Sequence, residues 1–287
     1  MMLFLQQLLN GLTIGSVYSL VALGLTLVFG ILHIPNFAHG AFYMIGAYAT
    51  LLIMTNLGVH YWLAVILSIL IVGLLGVLSE RLIFHRLGNA DPLRIMVAAI
   101  GILLFFESLA HLIWGADYQR MTTPYGSPVS FFGITVTAQR ILIIVAAVIL
   151  MVLLHVFLKR TLTGRAIMAM AQNREGAFLV GINANFVAML TFFIAGGLAA
   201  AAASLASPIN LVYPTMGNLV IMKAFVIIII GGMGSIPGAI VGGYLLGLSE
   251  SLGATYISND YKDLIAFILL VIILTAKPTG LFTKEVH

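Results

Sequence analysis

Apolar residues do not alternate along this chain; they run unbroken for about the length of a bilayer-crossing helix and then stop. Nine such runs can be marked, at residues 12–32, 41–57, 62–78, 95–114, 141–158, 186–206, 219–230, 239–256 and 264–276. A helix needs roughly 20 apolar residues to cross the hydrocarbon core, and most of the runs approach that. Residues 141–154 are apolar at nearly every position, whereas a barrel strand would alternate over about 10 residues. The pattern predicts an all-α, polytopic transmembrane bundle of about eight or nine helical segments, some discontinuous, forming a single domain over residues 1–287.

Composition sharpens this expectation. Hydrophobic residues make up 62% of the chain and charged ones 8%, and no Asp, Glu, Lys or Arg occurs in residues 1–79. A soluble domain needs a charged surface, which such a stretch cannot supply. The N-terminus lacks a basic region followed by a small-residue cleavage site, so the first helix is expected to be retained. Cysteine is absent, which removes disulfides and thiol chemistry.

The few charges carry topology. Arg81, Arg86 and Arg94 fall in one loop, Lys159, Arg160, Arg165 and Arg174 in a second, and Lys277 and Lys284 in the tail, together nine of the thirteen basic residues. The intervening runs put all three on one side, and positive bias makes that side the cytoplasm. The net charge of +4 then reflects loop bias, and no aromatic and basic patch points to nucleic acid. A break near Pro35 would change the count of crossings, so the orientation of the N-terminus stays open. On the outer side, residues 115–139 form the longest non-helical connection, a candidate surface for an external partner.

Three places look more constrained than contact with lipid requires. In residues 31–48, Pro35 removes a backbone donor and Asn36, Phe37, His39 and Gly40 follow beside apolar helix. In residues 222–247, Gly231, Gly232, Gly234, Ser235, Pro237 and Gly238 interrupt a second run. Both read as discontinuous helices, which membranes tolerate where the break lines a cavity or is buried in protein, and paired breaks often surround a translocation path. Tight helix packing is the other reading of the same glycines.

The third place is the polar island at 159–185. Read as one short helix from Gly164 to Gly181, it puts Ala166, Ala169, Met170, Asn173 and Ala177 on one face and Arg165, Gln172 and Glu175 on another. Such a small-residue strip lets another protein approach closely; a loop held on anionic lipid by its basic residues, Arg165 and Arg174 among them, is the alternative. Of the charges inside predicted helices, Glu107 and Glu250 are expected to pair within the bundle, and Lys223 to snorkel as readily as to act. His111 and His155 are weaker candidates. No residue spacing suggests catalysis or a metal site.

Taken together, NFAHG followed by MIGAY, the GRA…AQN…VGIN island, MKAF…GG.GSIPGA..GG and YKDLIAF…KPTGL resemble the branched-chain amino acid ABC transporter permease family, in particular its LivH-like half, nearly end to end and in order. The resemblance implies an inner-membrane importer subunit for leucine, isoleucine or valine. It implies a coupling loop at Gly164, Arg165, Ala166, Ala169, Met170, Asn173, Arg174, Glu175, Ala177 and Gly181 that seats on a cytoplasmic ATPase. It also implies a second homologous permease, two ATP-binding subunits that hold ATP and Mg, and an extracytoplasmic binding protein. The chain has no GxxxxGK[ST] of its own. Phe37, Phe42 and Tyr43 would line an apolar cavity, with Asn36 or Ser235 near the substrate zwitterion. Two positions depart from the family pattern: Met168 stands where relatives usually carry Arg, and Ala41 where an acidic residue often follows NFAHG. Related permeases move urea, amides or other amino acids, and a gradient-driven channel or carrier using Glu107 or Glu250 is the reading from another class.

Overall fold

The computed structural model describes residues 2–32, 36–88, 90–131 and 134–282. Its helices are α1 (Met2–Leu32), α2 (Ala38–Leu57), α3 (Tyr61–Ser79), α4 (Pro92–Trp114), α5 (Ala138–Arg160), α6 (Leu162–Gln172), α7 (Arg174–Leu179), α8 (Ala184–Ala206), α9 (Met216–Gly231), α10 (Ile236–Tyr256) and α11 (Lys262–Ala276). A π turn (Glu80–Phe84) and a last short turn (His85–Leu87) prolong α3. Among the described residues, six helices are long and apolar enough to span singly, namely α1, α2, prolonged α3, α4, α5 and α8. The α9–α10 pair is bent by 119° at a short break. All nine apolar runs are therefore helical, and their edges lie within three residues of those read from sequence, except that α1 begins ten residues earlier and prolonged α3 ends nine residues later.

The core is a seam of small residues. Helix α1 lies antiparallel to α10, with Gly11 against Leu248, Gly15 against Tyr244 and Gly247, and Ser19 against Gly243. A Cβ on Gly15 would stand 2.8 Å from the Tyr244 Cα, so the backbones approach as closely as a small-residue interface permits. On its other sides α1 meets α8 and α9. Helix α2 packs on α8 through Gly46 and Ala200, and the Thr50 and Ser204 hydroxyls share a 2.6 Å hydrogen bond there. Helices α3, α4 and α5 form the rim, with much of their surface facing outward.

Contacts settle the N-terminal orientation that the sequence left open. Gly30, near the end of α1, lies against Ala171 of the island, while near its start the Gln7 carbonyl accepts from Ser251 in the last turns of α10. The start of α1 is therefore on the side opposite the island, and positive bias makes that side external. The outer connection expected to be non-helical holds a small antiparallel hairpin, β1 (Pro128–Phe131) and β2 (Ile134–Thr137), so among the described residues the bundle is all-α apart from this. Gln119 also pairs with Val212 across two outer loops, as edges with free donors tend to do.

Candidate functional site: two helix breaks and a cytoplasmic island

Of the two expected discontinuous helices only the second is one: the stretch around Asn36 joins α1 and α2, each long enough to span alone, and its residues pack back on α1 and α9. His39, fully buried, contacts the Val21 carbonyl through Nε2 at 3.1 Å and fills the space left by Gly24, where a Cβ would meet its ring at 2.7 Å. At the next residue, Gly40 and Gly217 of α9 stand backbone to backbone, and Phe37 packs on Phe225 at 4.7 Å. Asn36 is buried and its Oδ1 accepts from the Ala38 N–H at 3.1 Å, which starts α2. Pro35 lies outside the described residues.

The second break is an elbow at 232–235. Gly231 and Gly238 meet through their backbones so closely that neither tolerates a Cβ. Gly232 and Gly234 adopt φ of +98° and +82°, a region open mainly to glycine. Ser235 caps α10 by accepting from the Gly238 N–H at 3.2 Å, ahead of Pro237 in its first turn, where a missing N–H is harmless. Ser19 faces Gly243; continued five residues along both helices, this antiparallel register sets Gly24 level with Gly238. The stretch around His39 and the elbow thus occupy one layer along α1.

Within this layer Asn36, His39, Gly40, Gly231 and Gly232 are closed into the subunit's own packing, Ser235 is half-buried, and Gly234 and Pro237 are exposed. The expected cavity side chains Phe42 and Tyr43 are buried. A groove of about 360 Å³ lies elsewhere, between α3, α5 and α8, and is lined entirely by apolar residues such as Trp62, Ile69, Leu142 and Ile149. It offers no polar group for a zwitterion, so the break layer is the better candidate for a path.

The island is built differently from the single helix expected. Asn173 leaves the helical region (φ −153°, ψ 103°) and its Oδ1 accepts from the Gly176 N–H at 2.8 Å, ending α6 and starting α7. The strip drawn through Ala166, Ala169, Met170, Asn173 and Ala177 is accordingly not one free face. Met170 and Ala177 are buried against the subunit itself, as are Gly164 and Ile167, and Ala166 and Ala169 are half-buried. Exposed instead are Arg165, Asn173, Arg174, Glu175 and Gly181, together with an apolar ridge: Phe178 at 72%, Leu179 at 84% and Val180 at 77%. Thr161 anchors the start of α6, its Oγ1 accepting from the Gly164 N–H at 2.9 Å.

The charges in the helices are mostly spent at home. Lys223 does not snorkel: its Nζ donates to Glu250 Oε2 at 3.0 Å and to the Tyr18 hydroxyl at 2.9 Å, and pairs with Asp263 Oδ1 at 2.9 Å. Tyr18 in turn donates to Glu250 Oε2 at 2.9 Å. A lone charge at this depth costs several kcal/mol and therefore finds partners. Four helices, α1, α9, α10 and α11, are tied by this cluster. Glu107 of α4 accepts from Asn218 at 3.2 Å, as pairing within the bundle requires. His111 and His155 are exposed on the rim. Tyr18 and Asp263 were missed in the sequence because their partners lie far away along the chain; only an acidic residue opening an otherwise apolar run hinted at Asp263.

Comparison with known proteins fits this arrangement. The family described as the branched-chain amino acid transport system permease component matches residues 7–274. The chain is 37% identical over 297 residues to the high-affinity branched-chain amino acid transport system permease protein BraD of Pseudomonas aeruginosa, covering 98% of this chain and 96% of that one. It is 37% identical over 296 residues to LivH of Salmonella typhimurium, with the same coverage of both chains. Among solved structures, PsaBC from Streptococcus pneumoniae in complex with Fab aligns with a TM-score of 0.51 at 14% identity, over 94% of this chain and 91% of that one, a likeness of fold alone. By the full-length identity and the family match together, the chain belongs to the branched-chain amino acid transport permease family and is a multi-pass membrane protein of that kind.

Proposed function

We propose that this chain is the membrane-spanning subunit of an ATP-driven importer for leucine, isoleucine or valine. It pairs with a second homologous permease, receives substrate from an extracytoplasmic binding protein, and is driven by two cytoplasmic subunits that bind ATP and Mg. The substrate class rests on the branched-chain amino acid transport systems to which its relatives belong. The observation that carries the drive from ATP is the island ridge, Phe178, Leu179 and Val180, exposed beside Arg165, Arg174 and Glu175. An exposed apolar ridge with a charged rim on the cytoplasmic face has the anatomy of a protein-docking surface. Behind it, Ala171 of α6 bears directly on Gly30 of α1. A push on the island is thereby delivered to α1, which packs on both His39 and α10.

The partnered state of Glu250 and Glu107 leaves neither as the free carboxylate that an ion-coupled carrier would need. Purification from the native membrane in mild detergent tests the reading. Recovery of ATP-binding subunits and a second permease is expected. Recovery of the chain alone, with leucine uptake driven by an ion gradient, would overturn it.

A further inference from the structure

The elbow between α9 and α10 is completed by the far end of the chain. Where α9 stops, the Ile230 and Gly231 carbonyls lose their intrahelical donors, and both residues are buried, so leaving those carbonyls unpaired would be costly. The segment 277–282, which follows α11, supplies replacements. The Leu281 N–H donates to the Ile230 carbonyl at 2.9 Å and the Phe282 N–H to the Gly231 carbonyl at 3.1 Å. Gly280, buried and with φ +85°, lies flat on Gly232, where a Cβ would come within 2.6 Å of the Gly232 N and Cα. The segment is also closed on itself: Gly280 N–H donates to the Lys277 carbonyl at 2.9 Å, and Lys277 Nζ to the Leu281 carbonyl at 2.9 Å.

We propose that residues 277–282 are a strap that positions the transport path. It supplies the donors that the broken helix lacks, and it locks α9, the elbow, α10 and α11 into one moving body. Away from the elbow, the Lys223, Glu250 and Asp263 cluster fastens α9 and α10 to the start of α11, so α11 is fixed at both ends and transmits displacement of the elbow as a rigid rod. The consequence for transport rests on the importer reading above; the mechanical role of the strap does not.

The test uses Leu281→Pro, which removes one donor, and Gly280→Ala, which keeps every donor but adds a methyl group where there is no room. Hydrogen exchange of the elbow amides 232–239 is followed in the purified assembly, and leucine transported per ATP hydrolysed is measured after reconstitution. Loss of one net hydrogen bond shifts an opening equilibrium by about fivefold, so elbow exchange is expected to accelerate by about that factor, with uptake per ATP falling severalfold. Should Leu281→Pro fail to assemble, Gly280→Ala carries the test. Unchanged elbow exchange, or faster exchange with undiminished uptake per ATP, overturns the proposal. Absence of ATP-driven uptake in the unmodified assembly would instead overturn the importer reading, while the exchange rates still decide whether the strap holds the elbow.

Discussion

The buried cluster around Lys223 and the cytoplasmic island use the same kinds of residue to opposite ends. In the cluster, one cation meets two carboxylates and a phenol inside the bundle, with the Glu250 side chain only 2% exposed and that of Lys223 11%. In the island, Arg165, Arg174 and Glu175 are exposed beside Phe178, Leu179 and Val180. Polar groups that must live in hydrocarbon are satisfied by their own chain, because an unsatisfied one there is costly. Groups bordering the cytoplasm are free to be satisfied by another protein. Structural residues are thus told apart from the proposed docking residues by where they lie, not by residue type.

The contrast can be broken most severely at its buried side. Lys223→Met strands Glu250 without its cation, and breaking a buried pair from one side costs about 3–5 kcal/mol; a marked fall in the detergent unfolding temperature is expected. Lys223→Met combined with Glu250→Gln should recover a large part of that loss, since the stranded charge is gone; a double variant no more stable than the single one would show that packing, not charge, is at stake. Next in size, Gly243→Val drives a side chain into Ser19 on the α1–α10 seam, an overpacking cost of about 1–3 kcal/mol visible in the same melt. Tyr18→Phe removes one hydroxyl from the cluster and is expected to cost about 1 kcal/mol.

The smallest stability effect belongs to the island, and it sharpens the comparison. Phe178→Asp with Leu179→Asp should leave the melt within about 0.5 kcal/mol, as surface changes do, yet weaken capture of the ATP-binding subunits by tenfold or more, about 1.4 kcal/mol in binding. Ala177→Arg is a poor probe of docking, because Ala177 is buried in the subunit itself and the change would damage the island's own packing.

Much of the fold was legible because hydrophobic run length is a local signal. The exception at the N-terminus is instructive: Gln6, Gln7 and Asn10 end the apolar run, yet α1 continues through them, with Asn10 Nδ2 donating to Gln7 Oε1 at 3.0 Å along the helix. The elbow between α9 and α10 was legible through glycine and proline, as was the island through its charge, whereas the stretch around Asn36 proved to join two separate spanning helices. The island's internal shape was not, since counting faces on one helix cannot see that Asn173 caps a second one. The partners of Lys223 lie on three other helices, and the tail Lys277, Pro278, Thr279, Gly280, Leu281 gave no sign that its backbone serves the elbow of α9. Those are long-range pairings, and only the folded chain brings them together.

The central claim is that ATP-driven force enters through the Phe178–Leu179–Val180 ridge. Leucine uptake into proteoliposomes containing the assembled complex, with ATP inside and binding protein outside, tests it directly when the unmodified chain is set beside the Phe178→Asp, Leu179→Asp variant. The account predicts ATP-dependent accumulation by the former and its near-complete loss in the latter at unchanged permease stability. Equal ATP-driven accumulation by both would contradict it.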